Sequence, residues 1–332
     1  MPYTLLQGGR RRRRRRRGAF VAVVVLAGVA ATWLVAPHAG EPPRLRPATV
    51  APPGPLLDTG TAPLAGGGTA PSPLAVRMDG PRDIVHVRFK HPPRSGLLFD
   101  IDTGRVLWRH HPERVLPVAS LTKMMTALVV IDRLGDRAQV KITDEALAYT
   151  GSGVGLLPRG KRIPVRTLLH GLLLPSGNDA AIALALRAAG SQKRFIALMN
   201  RRAHAMGLVC THFSTVSGIK DAGNYSCAPD LAALARAVLR QPRLAGIVRR
   251  RSAVLRFPIK GRKLYLYNNN PLLRAGYKGT TGVKTGYTAA AGRCLVASAR
   301  RQRIRLGVVL LRSPDPGKQA RRLLDRGFER SL

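Results

Sequence analysis

The chain has 332 residues, too many for one ordinary core and enough for two modest domains or one larger domain with appendages. Hydrophobic residues at 45% exclude a wholly disordered chain, and three cysteines without C-x-x-C or H-x-x-x-H spacing exclude a disulfide framework and give no zinc signature. Against 17 Asp+Glu stand 56 Lys+Arg, a net charge of +39, so the charge calls for a polyanionic partner, a membrane surface or a topological explanation.

Residues 10–17 are all arginine, and 19–36 carry no charge and are rich in Val, Ala and Leu. That apolar length can span a bilayer. A basic flank stays in the cytoplasm, which puts the rest of the chain outside. Residues 1–18 are therefore expected to be a cytoplasmic tail and 19–36 a transmembrane anchor. A cleaved signal peptide is the rival; against it stand the long apolar run and Leu34 where a cleavage site wants a small residue, with Pro37 just beyond. A nucleic-acid arm would explain the arginines and leave the apolar run without a role. Residues 37–82, dense in Pro and Gly, cannot bury enough surface to offset their ordering entropy and are expected to be a disordered linker. The folded body is then 83–332.

In the body, Val85, Val87 and Phe89 alternate with His86, Arg88 and Lys90, a strand pattern. Segments 97–102 and 105–108 flank Asp102-Thr103-Gly104 and read as a hairpin. Helices are predicted over 121–134, 165–174, 178–189, 192–206 and 229–239, with Gly135 and Gly207 closing two of them and Pro229 in a first turn. A second hairpin is predicted from 253–258 and 263–267, then strands at 282–285, 294–299 and 306–311, and a last helix over 318–328. Strands at both ends with helices between them predict an α+β body, one antiparallel sheet assembled from distant segments plus a helical lobe.

Three short motifs carry the chemistry. In Ser120-Leu121-Thr122-Lys123, residues three apart on a helix share a face, so Lys123 can reach the Ser120 hydroxyl. A lysine kept neutral by burial or a second cation can take the serine proton. The helix start also offers the Ser120 N–H to an oxyanion. Composition alone yields about 0.4 accidental S-x-x-K matches, and Ser217-Gly218-Ile219-Lys220 is a second one, read as loop because of Gly218, Gly223 and Asn224. The plainer reading of the first is a helix cap with a solvated lysine.

Ser176-Gly177-Asn178 lies between an apolar run and a helix, where a hydroxyl can relay a proton and an amide can bind a substrate amide; a helix cap would use the same residues. Lys284-Thr285-Gly286 ends a predicted strand, where Lys284 offers charge, Thr285 a donor, and Gly286 room for a ligand backbone; an ordinary strand end is the alternative. All three in this order arise by chance on the order of 10⁻⁴.

With their flanks, Leu116 to Thr126, Leu172 to Ala181 and Gly282 to Thr288, these motifs resemble the serine penicillin-binding proteins and β-lactamases, and among them the low-molecular-mass D-alanyl-D-alanine carboxypeptidases. The resemblance covers about residues 95–330 and implies an antiparallel sheet with helices on both faces plus a helical lobe. It implies that Ser120 attacks the D-Ala-D-Ala carbonyl with Lys123 as general base and that Ser176 passes a proton to the leaving D-alanine. Asn178 would bind the peptide, Lys284 would keep the site electropositive, and Thr285 would meet the terminal carboxylate. The N–H groups of Ser120 and Tyr287 would form the oxyanion hole. Peptidoglycan stem peptides are the implied substrate and β-lactams the acylating inhibitors; no metal or cofactor is implied.

The basic residue that should bind the substrate carboxylate is not assignable: Arg312 and Lys318 flank Ser313-Pro314-Asp315-Pro316. Relatives often anchor through a C-terminal amphipathic helix, so anchoring here is expected of the N-terminal segment. A D,D-endopeptidase acting on cross-links would use the same residues, and Asn268-Asn269-Asn270-Pro271-Leu272 and Ala291-Gly292-Arg293-Cys294 resemble that branch. The E-x-x-x-N element of class A β-lactamases is missing, and an intact set of motifs argues against a non-catalytic penicillin sensor or wall-binding module. Cys210 and Cys227 could pair outside the cytoplasm or stay free and buried; Cys294 reads as core. The arginines at 10–17 read as the inside flank of an anchor. The larger basic excess of the body fits residence among anionic wall polymers, or biased codon composition, better than nucleic acid.

Overall fold

Residues 72–80 and 83–331 are described in the computed structural model. The body opens with a hairpin, β1 (Ser95–Asp100) and β2 (Val106–His110), that turns at Gly104 with φ 77°. Then come β3 (Leu116–Pro117), a 3₁₀ turn over Ala119–Thr122, α1 (Lys123–Arg133), β4 (Gln139–Lys141), α2 (Asp144–Leu147), β5 (Arg162–Pro164), α3 (Val165–Leu173), α4 (Asn178–Ala189) and α5 (Gln192–Ala205). The second half holds β6 (Tyr225–Ser226), α6 (Ala228–Arg240), α7 (Pro242–Val248), the hairpin β7 (Ser252–Arg256) and β8 (Lys263–Tyr267), α8 (Pro271–Arg274), β9 (Thr280–Thr288), β10 (Gly292–Arg301), β11 (Ile304–Leu311) and α9 (Pro316–Ser331).

One five-stranded antiparallel sheet runs in the order β2-β1-β11-β10-β9. The first strand therefore pairs with the last, from Ser95↔Leu311 to Asp100↔Leu306, which closes the body on itself. Its central strands read as unbroken apolar runs because both faces are covered. Leu98, Leu295, Val308 and Leu310 face Leu323, Leu324 and Phe328 of α9, while Leu97, Phe99, Val296 and Val309 belong to the larger core shared with the helical lobe. Helix and sheet approach closely at Gly327, where an added Cβ would lie 2.7 Å from a Leu306 methyl. In the lobe, α1 is packed by α3, α4, α5 and α6. Every residue from Lys123 to Val130 is buried, as expected of a helix that is apolar nearly all round.

The sheet and the lobe are as the pattern predicts, and the differences lie in the smaller elements and the flanks. The alternation at 85–89 does not form a ladder strand. Val85 and Val87 are buried under the sheet, but Val85 makes a single backbone bond to Leu107, and the Arg109 N–H donates to the Asp83 carboxylate (2.9 Å) where a ladder would supply a carbonyl. The short helices α7 and α8 were not legible, and β9 and β10 are longer than expected. Residues 72–80, assigned to the linker, lie against the body. The Arg77 N–H donates to the Gly104 carbonyl (2.8 Å), and the buried Arg236 guanidinium donates to the carbonyls of Leu74, Ala75, Ile101 and Asp102. The segment is held both by these carbonyl contacts and by burial, with Val76 in the main core and Leu74 and Met78 packed against it.

The expected tail and anchor, 1–36, lie outside the described residues, as does the linker from 37 to 71. Among the described residues no helix is long and apolar enough to cross a membrane.

Candidate active site

Ser120 sits in the 3₁₀ turn that leads into α1, and Lys123 is the first residue of that helix. A 3₁₀ turn eclipses side chains three apart, which brings Lys123 Nζ to 2.9 Å from Ser120 Oγ. The amine also donates to Asn178 Oδ1 at 2.7 Å and to the Ser217 carbonyl at 2.8 Å. Lys123 Nζ thus has three oxygen neighbours, and a neutral amine with its two N–H bonds on Asn178 and Ser217 would turn its lone pair to the serine hydroxyl. Burial first, and then the nearby Lys284 cation, hold the Lys123 ammonium well below its ordinary pKa, against a smaller opposing pull from Asp179. The Asp179 carboxylate is itself satisfied by the N–H groups of Val154, Gly155 and Ala180.

The opposite wall is the outer edge of β9, the edge strand of the sheet. Lys284 is buried, donates to the Thr285 carbonyl at 2.8 Å, and is pulled down by burial to about 7. A Cβ on Gly286 would lie 2.9 Å from the Val118 carbonyl and 3.2 Å from Ser120 N. Gly286 is thus needed for the turn that carries Ser120 to rest on β9, a different use from the ligand approach expected of it. From the third side, the loop around Gly218 presses on the same turn: a Cβ there would fall 1.9 Å from the Ala119 carbonyl.

Two non-glycine residues hold left-handed conformations at the site, Ala119 with φ 47° and Ser176 with φ 70°. Each costs about 1–3 kcal/mol, which the packing around them must offset. Ser176 Oγ is the one buried side-chain N or O without a hydrogen-bond partner among the described residues. Ser176 borders a cleft of about 440 Å³ lined also by Ser120, Asn269, Thr285, Tyr287 and Arg293.

Residues 85–314 match the D-alanyl-D-alanine carboxypeptidase family, peptidase S11. The chain belongs to this family of serine peptidases. It is 34% identical to D-alanyl-D-alanine carboxypeptidase DacF of Bacillus subtilis over 78% of this chain and 67% of DacF. It is 37% identical to DacA of Escherichia coli over 70% of this chain and 60% of DacA, so it spans about two thirds or less of these relatives. Among solved structures it is similar to a D-alanyl-D-alanine carboxypeptidase of Mycobacterium tuberculosis (TM-score 0.69, 33% identity, 74% of this chain and 94% of that one). It is also similar to the Streptomyces K15 DD-transpeptidase (TM-score 0.69, 31% identity, 74% and 100%).

Of the residues singled out from the sequence of this family member, Ser120, Ser176, Thr285, Gly286 and Tyr287 line the cleft. Lys123, Asn178 and Lys284 lie buried behind them. The Asn178 amide is committed to Lys123 and, through Nδ2, to the Thr150 carbonyl at 2.6 Å, so it holds Lys123 and the 150 loop together. The cation that lines the cleft is Arg293, which donates to the Pro314 carbonyl at 2.8 Å; Lys318 is exposed and paired with Asp315 at 3.3 Å. Sequence reasoning passed over the Ser217 carbonyl, although a second S-x-x-K match pointed at that loop. Cys210 and Cys227 form a disulfide with Cα atoms 5.8 Å apart, and Cys294 is free and buried beside the cleft.

Proposed function

We propose that the protein removes the terminal D-alanine from peptidoglycan stem peptides through an acyl-enzyme on Ser120. The observation that carries this is the buried Lys123 amine, whose Nζ lies 2.9 Å from Ser120 Oγ and is held there by the Asn178 side-chain oxygen and the Ser217 carbonyl. Lys123 takes the Ser120 proton as Oγ bonds to the D-Ala-D-Ala carbonyl carbon, and the N–H groups of Ser120 and Tyr287 receive the oxyanion. The proton then passes by way of Ser176 Oγ to the amide nitrogen, and the C–N bond breaks. Water, deprotonated by Lys123, attacks the ester and restores Ser120. The extended outer edge of β9 suits a peptide laid alongside it as an added strand, with Thr285 at the carboxylate. β-Lactams would acylate the same oxygen.

Residues 10–17 and 19–36 support a single-pass anchor with the catalytic body outside the cytoplasm, and the Cys210–Cys227 disulfide fits that oxidising side. Asn269 and Arg293, from the two segments that resemble the endopeptidase branch, both line the cleft, so cross-linked peptides are the second substrate to try. The purified chain should release D-alanine from a pentapeptide and carry a penicillin adduct located by mass spectrometry on Ser120, and Ser120→Ala should abolish both. Cleavage of a cross-linked dimer without D-alanine release would replace the carboxypeptidase reading by the endopeptidase one.

A further inference from the structure

The hairpin β7–β8 stands apart from the main sheet as a two-stranded ribbon. Its inner face is accounted for, because Ala253, Leu264 and Leu266 are buried in the main core. Its outer face has no cover. Cross-strand pairing brings Val254 opposite Tyr265, Ser252 opposite Tyr267 and Arg256 opposite Lys263. Val254, Tyr265 and Tyr267 are 56%, 57% and 67% exposed, three of the largest exposed apolar side chains of the described residues gathered on one small ribbon. No Asp or Glu occurs from Arg249 through Tyr267, while Arg256, Lys263 and the turn residues Lys260 and Arg262 put positive charge at the turn end of the ribbon, beside Val254 and Tyr265. The ribbon runs directly into the cleft. Tyr267 is two residues before Asn269, at most about 7 Å of chain, and Asn269 lines the cleft and is fixed there by bonds to Leu174 and Pro175.

We propose that this face is a docking surface for the glycan strand that bears the substrate peptide, a proposal that rests on the peptidase reading above. A polymer whose peptide branch occupies the cleft must pass over the rim. Two adjacent tyrosine rings offer flat faces to sugar rings, and the flanking cations meet the carboxylates of neighbouring peptide branches, whose negative charge complements a ribbon without acids. Binding at two joined places raises the effective affinity for the polymer while leaving a free peptide unaffected. An anionic lipid surface would meet the same cations. Continuity of the ribbon with the cleft favours the polymer, because a bilayer on this face brings no substrate to Ser120.

The test compares the full chain with Tyr265→Ser/Tyr267→Ser and with Arg256→Ser/Lys263→Ser, all at exposed positions, with thermal melting to confirm folding. D-alanine release is measured on a soluble pentapeptide and on pentapeptide-rich polymeric peptidoglycan, alongside co-sedimentation with sacculi. Both variants should lose about tenfold or more in kcat/KM on the polymer, with pentapeptide turnover and penicillin acylation unchanged. Co-sedimentation should weaken, and for the wild type it should fall with salt. Equal losses on both substrates, or none on the polymer, overturn the proposal, as does a loss confined to binding of phosphatidylglycerol vesicles. If the wild type releases D-alanine from neither substrate, the peptidase reading fails by itself, and co-sedimentation of the variants still decides the docking surface.

Discussion

The two walls of the cleft solve different problems. On the helical side, Lys123 has three oxygen neighbours from three separate segments, Ser120, Asn178 and Ser217, and the chemistry lies in that side-chain network. On the sheet side, Lys284 has one, the Thr285 carbonyl next to it, and what β9 contributes is an open backbone edge and a buried cation. Both amines are depressed mainly by burial, and Lys284 further depresses Lys123. The contrast suits the proposed division of labour, in which Lys123, held by several partners, serves as the base and Lys284, with a single partner, acts through its charge.

The largest expected effect tests the helical wall. Lys123→Met should lower kcat/KM by about 10²–10⁴-fold at every pH, because no other amine faces Ser120 Oγ. Stopped-flow acylation by a penicillin would read the same loss directly. Lys284→Met should act differently. Removing the neighbouring charge lets the Lys123 pKa rise, so the acid limb of the kcat/KM profile, which requires neutral Lys123, moves to higher pH and activity returns as the pH is raised. A profile lowered but not displaced would show that Lys284 acts by contact alone.

Stability gives a second view of the same pair. A lysine whose folded pKa lies below its unfolded value binds fewer protons in the folded state, so unfolding free energy rises with pH between the two values. For Lys284 that window opens at about 7. Above the ordinary thiol range Cys294, pushed up by burial to about 11, begins to work in the opposite sense, so the clean interval is roughly pH 7 to 9. Urea titrations across it should show stability increasing with pH, by up to about 1.4 kcal/mol per pH unit for each proton involved. Lys284→Met should flatten the slope and be the more stable protein at pH 7.

The helical wall was legible where chemistry demands fixed spacing of residue types. Ser120 and Lys123 are three apart because a shared face requires it, and Ser176-Gly177-Asn178 and Lys284-Thr285-Gly286 are contiguous. Ser217 was not legible, because it contributes a main-chain carbonyl that any residue could supply. The sheet was legible from apolar runs such as 306–311, buried on both faces. The pattern at 85–89 misled because alternation reports a half-buried extended chain and is silent on which group, here Asp83, takes the neighbouring N–H. Helix α7 starts at Pro242, one residue beyond the extended Gln241, and its seven residues are too few to establish a period. The docking of residues 72–80 uses Arg236, more than 150 positions away, and core contacts of Val76, neither of which a local pattern contains.

A smaller effect tests what holds the third side of the site. The disulfide links residues 17 positions apart and closes a segment that includes Val216, whose carbonyl accepts from Thr126, and Ser217, whose carbonyl accepts from Lys123. Closing a loop of that size stabilises by about 3 kcal/mol in the chain-entropy description. The loop has other fastenings: Asn224 binds Ser214, Thr215 and Lys220, and Asp221 accepts from Thr288 on β9. Cys210→Ser/Cys227→Ser should therefore cost stability, seen as a lower urea midpoint, while kcat falls only severalfold at temperatures where the protein is folded. A loss of activity as deep as that of Lys123→Met, with the midpoint unchanged, would mean that the disulfide itself aims the Ser217 carbonyl and that the hydrogen bonds of Asn224 and Asp221 do not.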